Sequence, residues 1–564
     1  MTRTAKRLLL AASGPPLLLA LLFAAAEALL ALRPDRRPCF LVRSGHGANE
    51  RIAASGRAPT TSAKLRTPEF AAQPPAGTIR VLALGDSTMY GVPFDPPLPF
   101  ADWLALRLPL LLPGRAFEVV NLGASGMCSE DVLDLLRESG SVGASLLVIY
   151  VGHNEFLDMN LPRVLDPASH AFRRALSRTR VGAALLEMTM QPPRSTMADV
   201  VNRRTLVHDE PLIPPEAIER GLETYRSNLV AIVELASGWG IEVALVRPVA
   251  DAWDSAPHLS CFSPSTSRAA RAAFLVECEA IRVERRALEE RAERGETASP
   301  ASIESLLDRL DALARVDGAV ALLPWERGRL LLLRGDRDAA RTALREALDL
   351  DGYPWRQLPR GGEAVAEVAA STGAFLVDAA PLFDAESAPC LPDQRGLFVD
   401  DVHPDRRGHE LLAEATLRTL AQHGWIAPAA DWRFADEPSI EEYRIRSGFR
   451  PAAQATSLAR EAFMLLGASQ FDRSARAALR AAQRKLDLAL TIDSGCAEAH
   501  LGCAVVAAIR GEADAALAAI ERARARDAAI DRLLVEPWES VPAMRQAFEA
   551  TGLAVSEGKL ARQR

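Results

Sequence analysis

Nearly unbroken apolar runs recur along the chain after residue 77, and each is followed by a stretch in which apolar positions return every three or four residues. The runs predict strands over Thr78–Leu84, Phe117–Leu122, Ser145–Val151, Glu242–Arg247 and Ala374–Asp378. The periodic stretches predict helices over Ala101–Leu108, Ser129–Glu138, Pro215–Ser237, Glu363–Thr372 and Arg406–His423. Strands that are apolar on both faces and alternate with helices imply a parallel sheet covered on each side, an α/β fold. In such sheets ligands bind beyond the carboxyl ends of the strands. The residues following each strand are therefore the place to seek chemistry.

Two segments break the alternation. The first, 261–355, opens with the charged run "ECEAIRVERRALEERAERGE", a solvated helix face, and continues to "WERGRLLLLRGDRDAARTALREALDLD". The second lies near the C-terminus, where "HLGCAVVAAIRGEADAALAAIERARARD" has the same spacing. Placing Gly335 on Gly511 also matches Ala340 with Ala516, Leu344 with Ile520 and Ala347 with Ala523. Small residues there let two helices of a hairpin approach closely. With Trp325 and Gly328, the pattern resembles the tetratricopeptide repeat, which implies helical hairpins able to bind a protein partner. A weaker copy ends at Ala482, Leu486 and Ala489.

The N-terminus has its own pattern. "MTRTAKR" is basic, and Leu8–Leu32 follows with Glu27 as its sole charge. Twenty-five such residues exceed the roughly 20 needed to cross a bilayer. Basic residues ahead of the span keep the start in the cytoplasm and send the remainder outside. The expectation is a single-pass membrane protein with its catalytic body extracytoplasmic (periplasmic). Ala24-Ala25-Ala26 offers the alternative of a cleaved signal, a buried soluble helix is a third reading, and Pro15, Pro16 and Glu27 weaken the span. The expected order is 1–7 cytoplasmic, 8–32 signal anchor, 33–77 linker, 78–430 catalytic domain with the insertion 261–355, 431–454 linker, 455–548 helical domain and 549–564 tail.

Composition adds exclusions. The 564 residues require more than one domain, and 49% hydrophobic with 25% charged residues is globular. A net charge of −7 gives no reason to expect nucleic acid as a partner. Seven scattered cysteines without a Cys-x-x-Cys pair suggest neither a zinc site nor a disulfide framework, and His153 and His409 lack the neighbours a metal needs. No cofactor is implied.

Four short blocks follow the strands: "GDST" with Ser87, "VVNLGASG" with Gly123, "VIYVGHNEF" with Asn154, and "LFVDDVHPDRRGHELLAEA" with Asp400 and His403. These are the parts of an acyl-transfer site. Ser87 is a poor nucleophile until a base takes its proton, and His403 is the residue type for that work near neutral pH. Asp400, three residues earlier, can hold the imidazole in one tautomer; Asp401 is its rival for that role. The backbone N–H of Ser87, the N–H of Gly123 and the Asn154 amide can receive the developing oxyanion. Arg247 and the segment 353–356 are placed to border a substrate pocket, whereas Cys128 is expected to be packing.

In this order the blocks resemble the SGNH (GDSL-type) hydrolase family, over about 78–425. The resemblance implies a flavodoxin-like three-layer α/β/α sandwich and an esterase acting through Ser87, His403 and Asp400, with Ser87, Gly123 and Asn154 as the oxyanion hole. It also implies an acyl-ester substrate, including acylated glycans. The arrangement as a whole resembles bacterial envelope proteins that join this domain to tetratricopeptide-like helices. One block departs from the family's Gly-x-Asn-Asp: this chain has Gly152-His153-Asn154-Glu155. Ser87 lacks a Gly-x-Ser-x-Gly elbow, which disfavours the α/β-hydrolase superfamily. Two other functions stay open: O-acyl transfer to an envelope polysaccharide by the same triad, and a non-catalytic scaffold that binds through its repeats.

Overall fold

The computed structural model describes residues 22–32, 35, 37–57, 64–92, 99–189, 207–251, 253, 255–386, 397–446, 450–468, 475–530, 549, 553–556 and 559–562. Three short strands come first, β1 (Cys39–Ser44), β2 (Arg51–Arg57) and β3 (Glu69–Ala71), paired antiparallel. The central strands follow as β4 (Thr78–Gly85), β5 (Ala116–Asn121) and β6 (Ala144–Tyr150). After β7 (Val207–His208) come β8 (Glu242–Val246), β9 (Ser260–Cys261) and β10 (Phe375–Val377). The main sheet has the order β10-β8-β6-β4-β5, parallel throughout. That is the 2-1-3-4-5 order of doubly wound, flavodoxin-like sheets. Each of its five strands lies within a residue or two of the predicted run.

Strand periodicity explains the layering. Leu82, Leu84, Leu147, Ile149, Val243 and Leu245 face the helices Ser129–Ser139, Pro215–Gly238 and Pro359–Thr372. The alternate positions Val81, Ala83, Leu146, Val148, Ala244 and Val246 face the helices Phe100–Leu111 and Arg406–Gln422. With both faces covered, each large aliphatic side chain contributes about 1.5–3 kcal/mol of burial. This makes a three-layer α/β/α body.

Two stretches expected to be linkers are built into that body. Within 33–77, Phe40, Leu41, Ile52 and Phe70 join the core beneath the helix Ser129–Ser139. Glu138 of that helix accepts the N–H groups of Phe40 and Leu41 at 2.7 and 3.0 Å. Within 431–454, Trp432 and Tyr443 are buried in the other core layer, and Glu437 pairs with the buried Arg107. Long-range contacts, invisible in local composition, hold both segments in place. Residues 1–21, most of the expected membrane span, lie outside the described residues. Among those described, no helix is long and apolar enough to cross a membrane.

The insertion comprises the helices Arg268–Glu293, Pro300–Val316, Leu322–Arg334 and Arg337–Asp349. The C-terminal helices are Pro451–Ala468, Ala475–Ile492, Ala497–Ile509 and Ala513–Arg526. The matched positions Ala340, Leu344, Ala347, Ala516, Ile520 and Ala523 are all buried, as close helix packing requires. Lys485 of the C-terminal helices reaches Asp405 at 3.2 Å, the residue that caps the helix Arg406–Gln422. A terminal hairpin, β11 (Leu553–Ser556) with β12 (Lys559–Arg562), lies in the expected tail. The six described cysteines are free thiols.

Candidate active site

Strand β4 delivers its last residues into a turn that starts the short helix Ser87–Tyr90. Asp86 caps it, its Oδ1 accepting the Thr88 N–H at 2.9 Å. Ser87 is thereby fixed just beyond the strand's carboxyl end, with its N–H in the open first turn of the helix. Capping and catalysis are compatible here because Asp86, rather than Ser87, makes the cap.

The loop ahead of the helix Arg406–Gln422 brings His403 and Asp400 to Ser87. His403 Nε2 lies 2.7 Å from Ser87 Oγ, and Nδ1 lies 2.6 Å from Asp400 Oδ2. The other Asp400 oxygen accepts the N–H groups of Val402 and His403 at 2.9 and 2.7 Å. An ionised carboxylate only accepts, so Nδ1 carries the proton and Nε2 is left to receive the serine proton. Burial alone would raise the Asp400 carboxyl, but the His403 charge and these hydrogen bonds outweigh it and hold the group below its ordinary range. Burial likewise works to lower His403, yet the Asp400 carboxylate, with Asp86 and Asp401 near by, keeps the imidazole above its ordinary value. The side chains of His403 and Asp400 retain 15% and 23% exposure, so a substrate can reach the pair.

Asp401, the rival orienter, points elsewhere. Its Oδ2 lies 3.0 Å from His258 Nε2, and the His258 Nδ1 lies 3.3 Å from Asp351. The backbone of the same loop is tied by the Asp251 N–H to the Asp401 carbonyl at 2.9 Å. His258 is fully buried and joins the loop that carries Asp400 and His403 to the end of the insertion. Nothing in its local sequence signalled this.

The oxyanion donors are placed unevenly. Asn154 follows β6, and one of its amide hydrogens goes to the Met127 carbonyl at 3.0 Å, leaving the second. Gly123 differs from expectation: its N–H donates to Asn121 Oδ1 at 2.8 Å. A Cβ at 123 would lie 2.5 Å from the Tyr90 nitrogen, so glycine is needed there for the approach of the Ser87–Tyr90 helix. Gly126, three residues on, stands at φ +82° beside Met127. Its carbonyl accepts from Asn160 Nδ2, which also bonds the Asn154 carbonyl.

The Glu155 departure has a structural cause. Its two oxygens accept the Ser129 N–H at 2.7 Å and the Ser129 hydroxyl at 3.1 Å, and Oε2 pairs with buried Arg163 at 2.7 Å. The longer acid anchors the start of the helix Ser129–Ser139.

Two further histidines are neutral structural groups. His153 Nδ1 accepts the Gln357 N–H at 3.2 Å, and its Nε2 donates to Tyr150 OH at 3.2 Å. Burial, with repulsion from His403, lowers His153 to about 3. Burial lowers His409 similarly, to about 3. Among the described residues no group could hold a metal ion. Cys128 is buried, with its thiol against Asp131 at 3.3 Å, and burial pushes that thiol up. Arg247 pairs with Asp378 at 3.2 Å and lines a cavity, whereas Arg356 is spent on the carbonyls of Asp251, Ser255 and Ala256.

No family model matches the chain, and no curated protein matches it significantly. Among solved structures it is similar to an acetylxylan esterase from Geobacillus stearothermophilus, at 14% identity over 61% of this chain and 94% of that one, TM-score 0.28. It is also similar to an alpha/beta hydrolase enzyme from the metagenome of Lake Arreo, Spain, at 14% identity over 60% and 94%, TM-score 0.27. At such values neither likeness bears on chemistry. The strand order and the side-chain geometry carry that weight.

Proposed function

We propose that the protein is a serine esterase of the SGNH type. The observation that carries this reading is the continuous relay from Ser87 Oγ through His403 to Asp400, at 2.7 and 2.6 Å. Ser87 attacks the ester carbonyl while His403 takes its proton at Nε2, and Asp400 steadies the imidazolium. The oxyanion is received by the Ser87 N–H, the free Asn154 amide hydrogen and the Gly126 N–H, the last replacing Gly123. His403 then protonates the leaving alcohol, and water releases the acyl group by the reverse path. The expected N-terminal anchor would hold this site outside the cytoplasmic membrane.

The test is the Ser87→Ala variant with short-chain aryl esters and a fluorophosphonate probe. Turnover and labelling should both vanish while the circular dichroism spectrum is unchanged. Retained turnover in the purified variant refutes the assignment, and an unlabelled wild type would favour the scaffold instead.

A further inference from the structure

A cavity of about 200 Å³ opens beyond the carboxyl ends of β8 and β10. It lies at the same end of the sheet as Ser87, two strands across, or about 10 Å at the usual strand spacing. Its walls adjoin the catalytic parts without including them. Val249 and Gln357 hold Tyr150 and His153, the latter next to Asn154, and Phe398 precedes the residue whose N–H bonds the His403 carbonyl.

Two features of the lining point to a ligand. Most of it is apolar, from Pro248, Val249, Leu344, Leu348, Phe383 and Phe398. Three arginines, Arg247, Arg341 and Arg345, stand against one acid, Asp384. Arg247 pairs with Asp378 at 3.2 Å and Arg345 with Glu363 at 2.9 Å, while Arg341 pairs with both Asp384 at 3.0 Å and Asp338 at 3.2 Å. A guanidinium has five donors, so the single pairs of Arg247 and Arg345 leave others for an anion. Gln357, 8% exposed, also lines the cavity, with its Nε2 turned away from solvent and without an acceptor among the described residues. Gly361 makes space for that amide: a Cβ there would sit 1.9 Å from Nε2.

We propose that this cavity binds the far end of the acyl group, an alkyl arm that terminates in a carboxylate. The arm lies on the leucine and phenylalanine wall, and the carboxylate takes donors from Arg247, Arg341 and Arg345. The esterase reading supplies the activity arm of the test; the binding arm is independent of it.

The experiment compares 4-nitrophenyl hydrogen adipate with 4-nitrophenyl hexanoate, which match in length and differ in the terminal charge. The full-length protein should favour the adipate ester in kcat/KM by about tenfold or more, as a charge-assisted contact provides. In Arg247→Gln, and separately in Arg345→Gln, the ratio should fall toward one. Because the ratio is read, a general loss of activity cancels. In parallel, Ser87→Ala should bind adipate by calorimetry, and Ser87→Ala with Arg247→Gln should not. Equal kcat/KM for the two esters, or a preference that survives both variants, overturns the proposal. Adipate binding without turnover of either ester supports the cavity and removes the esterase reading. Turnover without discrimination and without adipate binding removes the cavity alone.

Discussion

Replacing Asp400 with Asn separates orientation from structure, because the two carboxylate oxygens do different jobs. Oδ1 accepts two backbone N–H groups, and Oδ2 faces the imidazole. Asparagine can keep its carbonyl on the backbone pair, which presents its NH₂ to Nδ1. The imidazole must then accept at Nδ1 and carry its proton on Nε2, where Ser87 needs a lone pair. The expected result is a fall in kcat of about 10³–10⁴, the size of effect when a triad histidine is held in the wrong tautomer. Stability should barely move. Asp400→Ala removes the backbone acceptor as well and leaves two N–H groups unpaired, at about 1–3 kcal/mol each where buried. It should lose a similar amount of activity and several degrees of Tm. The assay is steady-state hydrolysis of an aryl acetate with matched thermal melts. If Asp400→Asn retains more than about a tenth of wild-type kcat, Asp400 is not the orienter.

Three other outcomes follow from the same geometry. Burial raises the Asp86 carboxyl from 3.8 to about 7, so the folded state holds that proton more tightly and stability falls as pH rises through the window from about 4 to 7. Asp86→Asn keeps the cap on Thr88 and removes the titration, so its Tm advantage should grow between pH 5 and pH 8; parallel curves for variant and wild type would refute this. Glu155→Ala strands the buried Arg163 charge and should cost about 3–5 kcal/mol in urea unfolding. His258→Ala releases Asp401 and should lower kcat by up to about 10²-fold with little change in KM, slowing fluorophosphonate labelling of Ser87 in step.

The main sheet was legible because its strands are covered on both faces, which leaves runs such as Val81–Leu84 and Leu146–Tyr150 almost wholly apolar. The relay was legible because the sheet's carboxyl edge gathers Ser87 and Asn154, and the Asp-x-x-His spacing delivers the rest. What escaped depends on distant partners. The strands β1 to β3 carry few apolar positions each and rely on Glu138 and the helix above them. Nothing local marks the Gly123 N–H as occupied; the Asn121 side chain two residues earlier takes it. The cavity was half legible, since Arg247 was in view while its arginine companions come from the insertion and Gln357 follows the segment flagged for the pocket.

Asp351 has a consequence for how freely the chain can change. Its carboxylate accepts the N–H groups of His258 and Leu259 at 2.7 and 2.9 Å, and the Gly352 N–H bonds the Leu259 carbonyl at 2.8 Å. The chain therefore leaves the α/β body and returns to it at one clasped point. Loop-closure entropy grows only with the logarithm of length, about 0.6 kcal/mol for each doubling. Insertions of very different size could hang from this clasp at similar thermodynamic cost. The helix Arg337–Asp349, which supplies Arg341, Leu344, Arg345 and Leu348 to the cavity, belongs to that exchangeable part. Ser87, His403 and Asp400 do not. A change of length or sequence in the insertion thus remakes one wall of the cavity and leaves the Ser87–His403–Asp400 relay in place.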